Sequence, residues 1–99
     1  MVIPEIITEI TVELYGTARI KGGVRELQLS VPSPISARNL MKAISNICPS
    51  LVGEVITQDR SALINSHTLN LNGLSFVNSD PITLKHGDKL LLFSSQAGG

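Results

Sequence analysis

The sequence lacks the residues that mark several common classes of protein. Its 99 residues include one cysteine, two histidines and no tryptophan. A lone cysteine, Cys48, excludes an intramolecular disulfide bond, and with His67 and His86 it offers no cluster of three or four zinc ligands. We therefore expect no metal site, an inert buried thiol at Cys48, and two surface histidines.

The sequence also lacks an excess of positive or negative charge and has no long apolar run. Eight basic residues balance eight acidic ones, which gives no general attraction to nucleic acid or to an anionic membrane. The apolar runs are too short to span a bilayer, and residues 1–5 lack the basic and apolar regions of a secretory signal. No Gly-x-Ser-x-Gly elbow or phosphate-binding glycine loop occurs. We expect one cytoplasmic domain that is not an enzyme and contacts neither nucleic acid nor membrane.

Only 3% of the residues are aromatic, so the core must be aliphatic. Two segments have the period of a half-buried strand. Residues 6–15 alternate apolar and polar side chains from Ile10 onward, and residues 26–31 alternate throughout. Gly16 ends the first, and Gly22-Gly23 allows the chain to turn before the second. The pattern predicts a β-hairpin whose connecting loop, residues 16–23, is too long for a tight turn.

A helix is predicted after Pro32 and Pro34, which end the second strand. Ser36 is placed to cap its first turn, and Pro49 ends it. Its apolar stripe is expected to consist of Leu40, Ala43, Ile44, Ile47 and Cys48, with Ser45 off the stripe.

The second half of the chain contains shorter strand signals. Leu69 and Leu71 precede the turn signal Asn72-Gly73, Phe76-Val77 indicates a short returning strand, and residues 89–94 form the last strand. The order of strand, strand, helix, short strands and final strand predicts an α+β domain with one main helix on one sheet.

The end of the chain carries the most specific pattern. Residues 84–93 read Leu-Lys-His-Gly-Asp-Lys-Leu-Leu-Leu-Phe and are followed by Gly98-Gly99. This ending resembles that of the MoaD/ThiS superfamily of ubiquitin-like sulfur carriers, which includes the small archaeal modifier proteins. Asn72-Gly73, Ala18-Arg19 and Gly22 also match segments common in that family. Many MoaD-type carriers have two prolines before the tail, where this chain has Ser94-Ser95, so molybdopterin synthesis is less strongly implied than the fold.

The resemblance implies a β-grasp fold, with a mixed sheet of four to five strands on one helix. Residues 1–93 would form the domain and residues 94–99 a flexible tail. A partner adenylating enzyme would use ATP to activate the carboxylate of Gly99, and Ala97 and Gly98 would thread into that enzyme. The protein itself would hold no cofactor and no catalytic residue.

Two products of that activation are implied, and the sequence does not choose between them. Gly99 would become a thiocarboxylate that donates sulfur, for example to a molybdopterin-synthase large subunit, or it would be joined to lysines of target proteins. A non-covalent β-grasp binding module with an inert tail is the alternative, although two terminal glycines arise by chance in only about one chain in two hundred.

The final strand is apolar on both faces. The resemblance to ubiquitin places Leu90 and Leu92 inside and leaves Leu91 and Phe93 outside as a partner-binding patch beside the tail. The alternative is a central strand covered on both faces. Lys21, Lys42, Lys85 and Lys89 are interpreted as solvated surface residues.

Overall fold

The computed structural model of the protein describes residues 6–64 and 66–94. Within these residues the chain forms five strands and two α-helices: β1 Ile6–Leu14, α1 Thr17–Gly22, β2 Glu26–Ser33, α2 Ala37–Ile47, β3 His67–Leu71, β4 Ser75–Phe76 and β5 Lys89–Ser94. A 3₁₀ helix, Pro49–Leu51, follows α2 directly.

The strands form one mixed sheet in the order β2-β1-β5-β3-β4. β1 and β5 are parallel at its centre, where Val12 pairs with Leu90. The other neighbours are antiparallel, so that Ile10 faces Leu29 on one side of the centre and Leu69 faces Leu92 on the other. The predicted α+β class is confirmed, with one main helix and a sheet of five strands.

The core lies between α2 and one face of the sheet and is aliphatic, as expected. Alternate residues of β1, β2 and β5 point into it, which is why the sequence alternates there. Its fully buried apolar members are Ile10, Val12, Leu14, Ala18, Val31, Leu40, Ile44, Leu51, Val55, Ile56, Leu90 and Leu92.

The caps of α2 agree with the sequence, but its buried stripe differs. The Ser36 side chain accepts a hydrogen bond from Asn39 N–H, and the helix ends before Pro49. Ile47 is 55% exposed although Ile44 and Ser45 in the same last turn are buried, so its predicted place on the stripe is wrong. Ser45 is fully buried instead. Its hydroxyl donates to the carbonyl of Met41 at 2.8 Å, which satisfies the polar group inside the core.

The segment expected to be a plain loop between β1 and β2 contains helix α1. Ala18 is fully buried and anchors the helix to the core. Gly16 and Gly23 flank it with φ of 56° and 76°, a region that favours glycine. Because α1 is only six residues long and buries a single small side chain, its apolar pattern is too short to be recognised.

The last strand continues through Ser94, whereas the predicted domain boundary places Ser94 in the tail. The predicted flexible tail beyond it, residues 95–99, lies outside the described residues.

Candidate functional site

β5 occupies the centre of the sheet and has one face in the core. Leu90 and Leu92 are fully buried, while Leu91 and Phe93 lie on the opposite face and are half-buried. The predicted assignment of inner and outer positions is confirmed. The strand is central, as in the alternative, but its outer face is not fully covered.

An aromatic neighbour enlarges this exposed face. In the register of the sheet, Asn70 lies opposite Leu91 on one side and opposite Phe76 on the other, so the three side chains form a row on the outer face. The Phe76 ring is 61% exposed, and its centroid lies 6.3 Å from that of Phe93. We refer to Leu91, Phe93 and Phe76 as the outer patch.

Sequence reasoning missed Phe76 as a patch residue. Its place depends on the hairpin between β3 and β4, which brings it across from Asn70. The turn signal Asn72-Gly73 was the available clue, since it predicts this hairpin, and both residues adopt positive φ there, 58° and 74°.

The end of β1 borders the end of β5, where the chain runs towards its C-terminus. Tyr15 N–H donates to the carbonyl of Leu92 at 3.0 Å. The Tyr15 hydroxyl donates to Glu13, and this bond to a carboxylate is the main reason that the pKa of Tyr15 lies above its ordinary value of 10.0. The Arg19 guanidinium lies over the Tyr15 ring at 5.6 Å, and its Nε donates to the carbonyl of Leu14. Glu13 pairs with Leu91 in the sheet, so the polar side chains of Glu13 and Tyr15 lie next to the outer patch.

The predicted reactive residue, Gly99, and the threading residues Ala97 and Gly98 lie outside the described residues. The last described residue is Ser94, which pairs with His67 across β5 and β3. The described structure therefore shows where the tail begins, at the His67 end of the sheet.

The sequence analysis also predicted the exposure of Cys48, His67 and His86, and two of these three predictions are confirmed. Cys48 is buried as predicted, with its Sγ 3.6 Å from the carbonyl of Gly22, and His86 is exposed. The prediction of a surface residue is wrong for His67. It lies at the first position of β3 on the helix side of the sheet, and both of its ring nitrogens are buried. In residues 6–64 and 66–94, no three side chains among His, Cys, Asp and Glu are grouped to hold a metal ion.

The four lysines lie on the surface. Lys21 pairs with Glu54 at 3.8 Å and Lys89 with Glu13 at 4.0 Å, in ion pairs exposed enough to contribute little to stability. Lys42 and Lys85 are exposed as well. None of the helices in the described part of the chain has the length and apolarity needed to cross a bilayer.

Comparison with solved structures identifies the fold. Small archaeal modifier protein 1 (SAMP1) from Haloferax volcanii superimposes with a TM-score of 0.73 at 21% identity, over 92% of this chain and 99% of that one. A Pyrococcus furiosus protein assigned as molybdopterin converting factor subunit 1 gives 0.68 at 24% identity, over 90% and 99%. Urm1 from Trypanosoma brucei gives 0.58 at 19% identity, over 94% and 97%.

The chain thus has the ubiquitin-like β-grasp fold, as the resemblance implied. It is similar to small modifier and MoaD-like proteins over nearly the whole of both chains. No protein-family profile matches the sequence. No curated protein matches it either.

Proposed function

We propose that this protein is activated at its C-terminal glycine by an adenylating enzyme. It then acts as a sulfur carrier through a thiocarboxylate, as a modifier joined to lysines of other proteins, or as both. The observation that carries the proposal is the central strand β5, which has one face in the apolar core and is followed in the sequence by Gly98-Gly99. The names of the structural neighbours, SAMP1, molybdopterin converting factor and Urm1, support the same class of function.

The chemistry requires activation because a carboxylate is a poor electrophile. The Gly99 carboxylate attacks the α-phosphate of ATP, and pyrophosphate leaves, which gives an acyl-adenylate. A hydrosulfide delivered by a partner then displaces AMP to form the thiocarboxylate, or a lysine amine displaces AMP to form an isopeptide bond. The enzyme supplies the ATP site. This chain supplies the electrophile and the surface by which it is held.

The tail has the reach and the shape for this reaction. The five residues after Ser94 extend up to about 17 Å, so Gly99 can enter a neighbouring active site while the domain docks outside it. Glycine has no Cβ, so its backbone can pass close to the enzyme and the nucleotide. The outer patch borders the start of this segment and is the contact we assign to the activating enzyme.

The two products would react with different partner proteins after activation. A sulfur carrier would hand its sulfur to a synthase subunit such as the large subunit of molybdopterin synthase. A modifier would meet lysines on target proteins. Both reactions consume ATP, and we assign them to the cytoplasm.

The test is deletion of Gly98-Gly99. The apolar core of the described residues runs from Ile10 to Leu92, so we expect circular dichroism and the thermal melt to match those of the full chain. ATP-dependent adenylation by the activating enzyme of the same organism should be abolished. A truncated protein that is still adenylated would reject both the carrier and the modifier function.

Experiments on the full chain then distinguish the thiocarboxylate from the isopeptide product. Intact mass of the reacted protein detects the exchange of one oxygen for sulfur, and a Gly-Gly remnant on lysines in a digested lysate detects conjugation. A full chain that is never adenylated would leave the β-grasp domain as a non-covalent binding module with an inert tail.

A further inference from the structure

A groove lies on the helix side of the sheet, away from the outer patch. It has a volume of about 400 Å³. Its floor is apolar and is formed by Met41 of α2, Leu69 of β3, and Val77 and Ile82 of the segment that leads to β5. The groove is open to solvent and belongs to none of the contacts assigned above.

His67 lines this groove with polar atoms that lack partners. Both ring nitrogens are buried, and neither makes a hydrogen bond to any described residue. An imidazole carries at least one N–H in every protonation state, so the groove holds a buried donor without an acceptor. Such a group destabilises a protein unless an acceptor reaches it, which points to a polar occupant.

The start of the tail identifies that occupant. Ser94, the last described residue, pairs across the sheet with His67, which lines the groove, so the segment that follows in the sequence starts next to a groove residue. We infer that the groove is the docking site of the chain's own C-terminal segment, residues 95–99, with a backbone carbonyl of that segment accepting the hydrogen bond from His67. Ala97 and the two glycines suit a shallow apolar floor, because their side chains are the smallest available.

Docking would regulate the reactive end, an inference that rests on the proposed function. A tail seated in the groove cannot enter the channel of an activating enzyme, so only the undocked fraction is competent to react. If the tail is docked three-quarters of the time, the apparent affinity for the enzyme falls about fourfold.

The docking itself is tested on the full chain without any enzyme. A nitroxide label is placed at residue 97 by Ala97→Cys in a Cys48→Ala background. We expect the label to broaden the methyl NMR signals of Met41, Leu63 and Val77, which line the groove, and to spare Leu74 at the β3–β4 turn. Broadening confined to outer-patch residues, or weak and uniform broadening, would overturn the inference.

A pair of histidine variants provides the matched control. His67→Phe keeps a flat ring but has no N–H, whereas His86→Ala changes an exposed histidine elsewhere. We expect His67→Phe to abolish the selective broadening and His86→Ala to retain it. Selective broadening that survives in His67→Phe would contradict the assigned hydrogen bond.

The enzyme then tests the consequence. His67→Phe should raise the rate of adenylation at subsaturating protein about fourfold, by the same relation, and His86→Ala should leave it unchanged. Equal rates would reject the regulatory role, while adenylation that still depends on Gly98-Gly99 would leave the proposed function standing.

Discussion

Asn72 and Asp88 bind each other and join the β3–β4 turn to the start of β5. Asn72 Nδ2 donates to Asp88 Oδ1 at 3.1 Å, and Asn72 Oδ1 accepts from Lys89 N–H at 2.8 Å. The second oxygen of Asp88 accepts from Lys85 N–H at 2.8 Å, which closes the Lys85–Asp88 turn. The Asn-Gly and Gly-Asp pairs of the sequence are therefore one structural unit, and it sets the register of the strand that leads to the tail.

Removal of this unit should lower stability. Asp88→Ala deletes an acceptor of two hydrogen bonds at a charged, half-buried group, and we expect a loss of about 1–3 kcal/mol in the free energy of unfolding. Asp80→Ala is the control, because within the described residues the exposed Asp80 carboxylate accepts a single hydrogen bond, from Ala37 N–H. Denaturant melts measure both. An Asp88→Ala loss no larger than that of Asp80→Ala would show that the unit does not stabilise β5.

The two faces of β5 should respond differently to truncation. Leu92 is fully buried, so Leu92→Ala should reduce the free energy of unfolding by about 2–5 kcal/mol. Leu91 is only half-buried on the outer face, and Leu91→Ala should reduce it by less than half as much. Urea melts compare the two variants. Equal losses would mean that the outer face is covered in solution.

The outer patch should contribute to binding more than to folding. Replacing Leu91 and Phe93 with serine removes two side chains beside the start of the tail, and we expect a loss of about 2–4 kcal/mol of affinity for the activating enzyme, a factor of tens to hundreds. Calorimetry measures the affinity and thermal unfolding checks the fold. Ile47→Ser, an exposed apolar change on α2, is the control and should bind normally. A folded double variant with unchanged affinity would reject the patch.

The loop around Asp59 should weaken in acid. The Asp59 carboxylate accepts hydrogen bonds from the Ser61 hydroxyl, the Thr57 hydroxyl and Ser61 N–H, and these lower its pKa from 3.8 to about 2. Because the folded pKa is depressed, the stabilisation is complete above the unfolded value and is lost as the pH falls through about 2.

A carboxyl-carbon NMR titration of Asp59 measures this midpoint. Ser61→Ala removes the largest contribution and should move the midpoint back towards 3.8. A midpoint near 3.8 in the unaltered chain would show that these hydrogen bonds do not form in solution.

Much of the architecture could be predicted because it follows local rules. The alternation in β1 and β2, the Ser36 cap and the Pro49 stop each depend on neighbouring residues, and all agree with the structure. Helix α1 could not be predicted, since its single anchor, Ala18, is a weak apolar signal whose burial depends on the distant core around it. The stripe of α2 was wrong at Ile47 and Ser45 because the end of a helix and the edge of its partner sheet do not appear in periodicity.

The class of fold could be predicted from the residues alone, since strand period, prolines and turn residues act over a few positions. The interior face of β5 could not, because the strand is apolar on both faces, and its assignment came from the resemblance to ubiquitin. The sequence also supplied the Gly-Gly ending on which the proposed function depends. Three relations became visible only in the folded chain: Phe76 lies beside Phe93, Asn72 binds Asp88, and the ring nitrogens of His67 are buried in a groove. Each of these relations joins residues that strand pairing brings together, and pairing between distant segments leaves no periodic pattern in the sequence.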